Sequence, residues 1–395
     1  MLSFEEARAT LLSAARPIQG TERVEVLHAA GRVLAEDVLA QLNVPPADNS
    51  AMDGYAVRVI DLSAANTLLP VNQRIPAGSI AQALEPGTAA RIFTGAQIPF
   101  GADAIVMQER CIADDDSVRI GLVPKAGENI RRAGEDISAG TQVLSPGAVL
   151  RAQELGLIAS LGVAQINVFA RLRVAVFFTG DELCMPGESL AAGQIYNSNR
   201  FVLRGLLSEM GCEVIDLGIV RDDLGATREA LRQAAGGADL ILTCGGVSVG
   251  EEDHVKAAVE AEGVLENWRV AMKPGKPLAF GRVGETPFIG LPGNPVSSFV
   301  TFQMLVRPYL RRMQGWPAAL PALLTMRADF AWNKSVPVRE FLRVRRNALG
   351  GLDLFPNQGS GVLTSCTWAD GFVENAPATL IGHGDMVSYL PFETL

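Results

Sequence analysis

The sequence predicts a multidomain chain that joins a parallel α/β domain to β-rich domains, and three observations carry that reading. From 171 to 318, continuous apolar runs alternate with amphipathic stretches, the pattern of strands and helices built around a parallel sheet. From 41 to 140, Gly and Pro cut the chain into short apolar runs, which is a β-rich texture. The length, 395 residues, exceeds one ordinary core and suits two to four domains.

Taken in order, the spacing predicts helices over 4–16 and 24–39, the second with apolar positions three and four apart. Pro45 and Pro46 end that pattern. Short strands follow over 89–93, 104–108 and 118–123. A helix over 151–160 is closed by Gly162. The run 174–178 reads as a strand buried on both faces. After it come a helix over 200–210, closed by Gly211, and a strand over 213–217. A helix over 224–235, a strand over 240–243 and a helix over 254–262 continue the alternation. Strands over 277–280 and 288–291 lead into a long helix over 296–313. Trp316, Pro317 and Pro321 mark a linker, and the remainder to Leu395 reads as a small β domain.

Composition narrows the function. The net charge of −9 argues against duplex nucleic acid as a partner, because phosphate backbones require a basic footprint. Hydrophobic residues at 48% supply sizeable cores, yet no apolar run approaches the roughly 20 residues of a membrane span. Glu5 and Glu6 occupy the first turn instead of a basic-then-apolar signal, so a cytoplasmic enzyme with no membrane partner is expected. Five cysteines without CxxC spacing read as reduced thiols, and three dispersed histidines disfavour zinc. A metal, if used, is expected to be a hard cation on Asp and Glu oxygens.

Ligands of an open parallel sheet bind beyond the carboxyl ends of its strands. Three strand ends there carry Thr179-Gly180-Asp181-Glu182, Arg221-Asp222-Asp223 and the run from Cys244 through Gly245, Gly246 and Ser248 to Asp253. Any one of these aspartates serves equally well as a helix N-cap. Three acidic loops on one edge point instead to a site, and Mg²⁺ is the natural bridge between carboxylates and an anionic ligand. Glycines such as Gly245 and Gly246 let backbone N–H groups approach a phosphate or a ring closely, though glycine turns are common. Lys273-Pro274-Gly275-Lys276-Pro277 sets two ammonium groups in a proline-stiffened turn, an oxyanion clamp. In Leu291-Pro292-Gly293-Asn294-Pro295, Asn294 as N-cap and Pro295 at the first helical position give a complete structural account, with binding additional. In the first half, Asp53, the Thr94 hydroxyl and the segment Asn129–Asp136 with Arg131 and Arg132 are candidates for anion and metal contact. Surface ion pairing is the commoner fate of such mixed charges.

Eight segments in order resemble the molybdopterin molybdotransferases, the family that includes the E domain of gephyrin. They are DNSAMDGYA at 48–56, IFTGAQIPFGADAIVMQE at 92–109, GENIRRAGEDISAG at 127–140, TGDEL at 179–183, GQIYNSNR at 193–200, CGGVSVGEED at 244–253, KPGKPLAFG at 273–281 and LPGNPVS at 291–297. The resemblance implies a discontinuous linking domain from 1–40 and 141–170 and a β-rich second domain at 41–140. It further implies a molybdopterin-binding α/β domain at 171–318 and a C-terminal β domain at 319–395. It implies a homodimer whose cleft combines the α/β domain of one chain with the second domain of the other. The implied reaction inserts molybdate into adenylylated molybdopterin, with Mg²⁺ present and AMP released, after a molybdopterin adenylyltransferase that shares the α/β domain. By position, the family's functional acids fall on Asp53, Asp136, Glu182, Asp222 and Asp253, with Glu182 and Asp253 expected on the metal. Thr94 matches a cleft threonine, Lys273 and Lys276 the molybdate lysines, and Arg343 and Ser360 further oxyanion contacts. Pro292 and Pro295 fall in the family's binding loop. Phe178, Asn197, Cys244, His254 and Arg269 depart from residues frequent in the family.

Overall fold

The computed structural model of the chain describes residues 1–246, 254–317 and 320–394. Its centre is a six-stranded sheet in the order Glu213–Val220, Arg173–Thr179, Leu240–Cys244, Thr286–Leu291, Pro277–Val283, Gly263–Arg269. The first four strands run parallel. The last two turn back as an antiparallel edge. The run 174–178 is wholly apolar because both faces of its strand are covered. Val174, Val176 and Phe178 enter one core with Leu203, Leu207, Val300 and Leu310. Ala175 and Phe177 enter another with Leu231, Val255 and Val259. Helices Leu224–Ala235 and His254–Glu262 lie where the spacing placed them. Strand Gly263–Arg269 was not legible, since Glu266, Trp268 and Arg269 interrupt any clean alternation.

The helix over 296–313 is a composite. Residues Pro295–Thr301 and Arg307–Met313 are α-helical and flank a wider π turn at Phe302–Val306. Pro308 supplies a reason, because it has no N–H for the regular ladder, and the Arg307 N–H bonds back to the Phe302 carbonyl instead.

The helix expected over 24–39 does not exist. Strand Thr21–Glu25 pairs antiparallel with Gln165–Phe169, a short 3₁₀ turn covers Val26–His28, and Val38–Leu39 pairs with Gln142–Leu144. Gly31 sits at φ 74°, which breaks any helix there. The apolar spacing serves a small core instead, where Val26, Leu34 and Val38 meet Leu150, Ile158 and Val168 across the gap in sequence. The helix Phe4–Ala14 does form, with Ser3 and Glu6 as a capping box. It buries Phe4, Ala7 and Leu11 in the α/β core.

Between these segments lies a six-stranded unit in the order Ala104–Met107, Gly54–Val57, Ala89–Ile92, Thr67–Ile75, Ser117–Ile120, Cys111–Asp114. At the other end, Arg339–Arg346 pairs with both Gly351–Leu354 and Gly371–Asn375, which closes a C-terminal barrel. Met272–Lys273 joins that barrel by pairing parallel with Arg339-Glu340. The lysine turn is thereby fixed between the α/β domain and the barrel. No described helix is long and apolar enough to cross a membrane.

Candidate functional site

The carboxyl ends of the parallel strands open on a cavity of about 640 Å³. Glu182, Asp222, Gly245, Gly246, Pro292 and Pro295 all line it. Asp222 and Asp223, adjacent in sequence, do different work. The Asp223 carboxylate accepts the Ala226 N–H at 2.8 Å and caps the helix Leu224–Ala235. Asp222 instead accepts the Thr179 hydroxyl at 3.2 Å and stays on the cavity wall. Helix capping is therefore accounted for without Asp222.

Each glycine of this edge has a local cause. Gly180 has φ 145°, and a Cβ there would lie 2.5 Å from Oε2 of Glu182. The Glu182 carboxylate folds over that bare backbone. A Cβ on Gly245 would lie 2.7 Å from the Thr179 carbonyl oxygen, and one on Gly246 would lie 2.5 Å from Cγ2 of Val255. Gly245 is required by the close approach of the strand end at Thr179, and Gly246 by the packing of Val255 from the helix His254–Glu262, whether or not a ligand uses their N–H groups. Asn199 bridges the same edge, donating to Cys244 Sγ at 3.0 Å and to the Gly293 carbonyl at 2.7 Å. Cys244 is buried, and burial pushes its thiol up to about 11. It acts as a neutral packing group at that junction. Asn197 caps the helix Ser198–Glu209 by accepting the Arg200 N–H at 3.2 Å. Asn294 holds the N-cap position before Pro295, but its side chain makes no cap bond.

The lysine turn borders the same cavity through Pro277. A Cβ on Gly275 would meet Oγ1 of Thr301 at 2.2 Å, so the lysine turn packs directly on the helix that starts at Pro295. Pro277, Ser297 and Gly361 line the cavity beside it. The Val296 N–H donates to the Ser360 carbonyl at 3.0 Å, which draws the loop of Ser360 onto that helix start. Lys276 is exposed. Lys273 reaches Oε1 of Glu340 at 3.2 Å. Glu340 is only 1% exposed, and its other oxygen accepts Nε1 of Trp332 at 2.8 Å. Arg343 is also 1% exposed and donates to the Phe341 carbonyl, the Gly359 carbonyl and Ser365 Oγ. Burial lowers its guanidinium to about 10. Within the chain, Arg343 acts on the loop that carries Ser360.

The first-half candidates gather at one end of the six-stranded unit. The Ser50 N–H bonds to Ala96, Gly95 bonds back to Ser50, and Ala51 bonds to Asn129. Ile130–Arg131 pairs with Asn49–Ser50. Asp53 accepts the Thr94 N–H at 2.7 Å and the Thr94 hydroxyl at 2.8 Å. The backbone bond from Thr94, then the hydroxyl bond, hold the Asp53 carboxyl below the usual aspartate range. Of the two arginines, Arg132 pairs with Asp48 at 2.6 Å, the surface fate expected of such runs, while Arg131 and Asp136 stay exposed. The hydrogen bonds and ion pairs described for Asp48, Asp53, Thr94 and Arg132 end within 41–140. Among the described residues that line the 640 Å³ cavity, none comes from that stretch.

Ser248 and Asp253 lie outside the described residues. Among the described residues, no three His, Cys, Asp or Glu side chains gather closely enough to hold a metal by themselves. Sequence reasoning missed Glu340 and Asn199. A signal for Glu340 existed: in the strand Arg339–Arg346 it alternates with Leu342 and Val344, which are buried. Asn199 lay inside GQIYNSNR with no chemical signal of its own.

Comparison with known proteins covers nearly the whole chain. Residues 2–162 match the profile of the MoeA N-terminal region (domain I and II). Residues 175–312 match a probable molybdopterin binding domain, and residues 325–392 the MoeA C-terminal region (domain IV). The molybdopterin molybdenumtransferase of Haemophilus influenzae is 39% identical over 402 residues, with 100% of both chains covered. Molybdopterin molybdenumtransferase 2 of Mycobacterium tuberculosis is 44% identical over 320 residues, covering 78% of each. A crystal structure of the molybdopterin biosynthesis MoeA protein from Pyrococcus horikoshii superimposes with a TM-score of 0.83 at 31% identity, covering 99% of each chain.

Proposed function

The chain belongs to the molybdopterin molybdenumtransferase (MoeA) family, and on that premise we propose how its cavity serves the transfer. It is a molybdopterin molybdenumtransferase, a transferase of molybdenum-cofactor synthesis with a molybdopterin-binding domain. The substrates we infer are adenylylated molybdopterin and molybdate, with AMP released. The observation that supports this reading is the convergence of Glu182, Asp222, the Gly245-Gly246 turn and the segment Pro292 to Ser297, where a helix begins, on one cavity of about 640 Å³. That volume suits a pterin with its phosphates, since ligand pockets span roughly 300–1,000 Å³.

In this reading the pterin and its phosphoanhydride lie along the strand ends. Lys273, Lys276 and the loop of Ser360 hold molybdate at the barrel side. Water adds to a phosphorus atom, the P–O–P bond breaks, AMP carries away the bridging oxygen, and a proton is released. Glu182 and Asp222 orient that water and balance the proton.

A divalent cation fits the donor set. Two strand ends offer hard carboxylate oxygens, and Thr179 occupies only one oxygen of Asp222. Mg²⁺ is bound through one or two carboxylates with phosphate and water completing the shell, so a protein-only cluster is not needed. Glu182 and Asp222, with Asp253, which lies outside the described residues, are the residues that would hold it. Once bound, the cation would stabilise charge on the departing phosphate.

The reaction also calls on Asp53, Thr94, Arg131 and Asp136. Because they sit apart from the cavity lining of their own chain, we assign them to the cavity of a partner protomer in a homodimer. A cytoplasmic location and transfer of substrate from the preceding adenylyltransferase complete the proposal. The test is incubation of the purified chain with adenylylated molybdopterin, molybdate and Mg²⁺. AMP release with formation of active cofactor is expected. Intact adenylate with all three present would reject the reading.

A further inference from the structure

A second cavity, of about 320 Å³, lies where the linking segments meet the α/β domain, on the flank of the helix Arg307–Met313. Arg32, Arg171, Arg307 and Arg311 line it, with Trp316 and a single carboxylate, Glu209. Arg32 is already neutralised by Glu22. Arg171 donates to the Gly211 carbonyl at 3.2 Å, Arg307 to Gln303 Oε1 at 3.1 Å, and Arg311 lies 4.6 Å over the Trp316 ring. None of these contacts brings a counter-charge, and among the described residues no ion pair involves Arg171, Arg307 or Arg311. The Nε of Arg307 is buried without a hydrogen-bond partner. Burial lowers the Arg307 guanidinium to about 10, Arg311 beside it adds to the effect, and the Glu209 carboxylate opposes it in part. In a chain of net charge −9, three guanidiniums face one cavity with Glu209 as the carboxylate among its described lining residues and with no ion pair, so positive charge is in excess there and suits an anion.

We propose that this cavity is a binding site for a phosphate dianion, held by Arg171, Arg307 and Arg311 and distinct from the transfer site. Guanidiniums recognise tetrahedral oxyanions through paired N–H donors, and a half-buried setting strengthens each contact. The residues come from both sides of a junction: Arg171 follows the linking segment, and Arg307 and Arg311 belong to the long helix. Occupancy ties those two bodies together. The phosphate is either free anion or the phosphate of a mononucleotide.

The test titrates the full chain with inorganic phosphate at low ionic strength, by calorimetry. In the Lys276→Ala background, which weakens the molybdate clamp, phosphate is still expected to bind, and adding Arg307→Gln/Arg311→Gln is expected to weaken that binding at least about tenfold. In that same Lys276→Ala background, phosphate should raise the melting temperature when the arginines are present and leave it unchanged when both are replaced, a readout that survives a general loss of stability. Displacement of phosphate by AMP in the Lys276→Ala protein identifies a nucleotide phosphate, and failure to displace it identifies the free anion. The proposal is overturned if wild type shows no binding at about 10 mM phosphate. It is equally overturned if the arginine replacements leave the titration of the Lys276→Ala protein unchanged, or if Lys276→Ala alone abolishes binding.

Discussion

Replacing the two lysines of the clamp one at a time separates anion binding from stability, because the structure gives them different partners. Lys276 is exposed and makes no ion pair among the described residues. Lys273 is 48% exposed at its side chain and neutralises Glu340, which is 1% exposed. On the proposed assignment, Lys276→Ala removes a donor to molybdate and little else. A charge-assisted contact is worth roughly 1.5–3 kcal/mol, so the molybdate concentration for half-maximal rate should rise about tenfold or more. Its melting temperature should match wild type, since such surface changes stay within about 0.5 kcal/mol. Lys273→Ala carries the same anion penalty and also strands a buried carboxylate. Breaking a buried pair costs about 3–5 kcal/mol, and the solvent exposure of Lys273 brings the expected loss to about 1–3 kcal/mol. Adding Glu340→Gln keeps the Trp332 contact and removes the stranded charge, so the double variant should regain stability without regaining molybdate affinity. Urea unfolding and molybdate-dependent AMP release measure the two quantities on the same preparations. The reasoning fails if Lys276→Ala leaves molybdate dependence unchanged, or if Glu340→Gln gives no recovery in the Lys273→Ala background.

Further outcomes follow from the cavity geometry. Glu182→Ala and Asp222→Ala should abolish AMP release while leaving folding intact; an Asp222→Ala enzyme that turns over normally would return Asp222 to a structural role. Gly180→Ala should displace the Glu182 carboxylate at a cost of about 1–3 kcal/mol, with activity falling further than stability. Gly245→Ala meets a backbone oxygen and should destabilise more, which thermal melting of the pair decides. Iodoacetamide at pH 8 should leave Cys244 unlabelled in the native protein, because its thiol titrates at about 11; rapid loss of that thiol, read by mass spectrometry, would contradict the buried junction. The Asp53 carboxyl is depressed in the fold, so its contribution to local order is present above the ordinary aspartate value and is lost as pH falls through the folded one. A carboxyl NMR titration should find its midpoint below about 3.9, with no Asp53 step between pH 5 and 8.

How legible this was in the sequence depended on whether local pattern and tertiary environment agreed. The strand at 174–178 and the helix at 224–235 were legible because continuous apolarity and 3.6-residue spacing each have one good solution there. The stretch 24–39 was misread because its apolar spacing answers to partners at 142–150 and 165–169 that no local window contains. Strand ends placed Glu182 and Asp222 on one edge before any side chain was located, since parallel strands must finish together. The difference between Asp222 and Asp223 was not legible, because either carboxylate suits a cap and only the path into the helix decides. Glycines at 245 and 246 suggested a ligand, whereas their immediate cause is the Thr179 backbone and the Val255 side chain. Glu340 escaped notice because a charge in a strand rich in arginines reads as surface, and its burial needs the barrel to close around it.

The central claim is that carboxylates from the two halves of the chain serve one transfer site across a dimer. Mixing inactive Asp53→Ala and Glu182→Ala chains tests it most directly, with AMP release measured after subunit exchange and the dimer verified by sedimentation. A cross-chain site predicts that mixing restores activity, up to one working site in each mixed dimer. Mixed dimers that form and stay inactive, or a chain that sediments as a monomer yet turns over fully, would contradict the account.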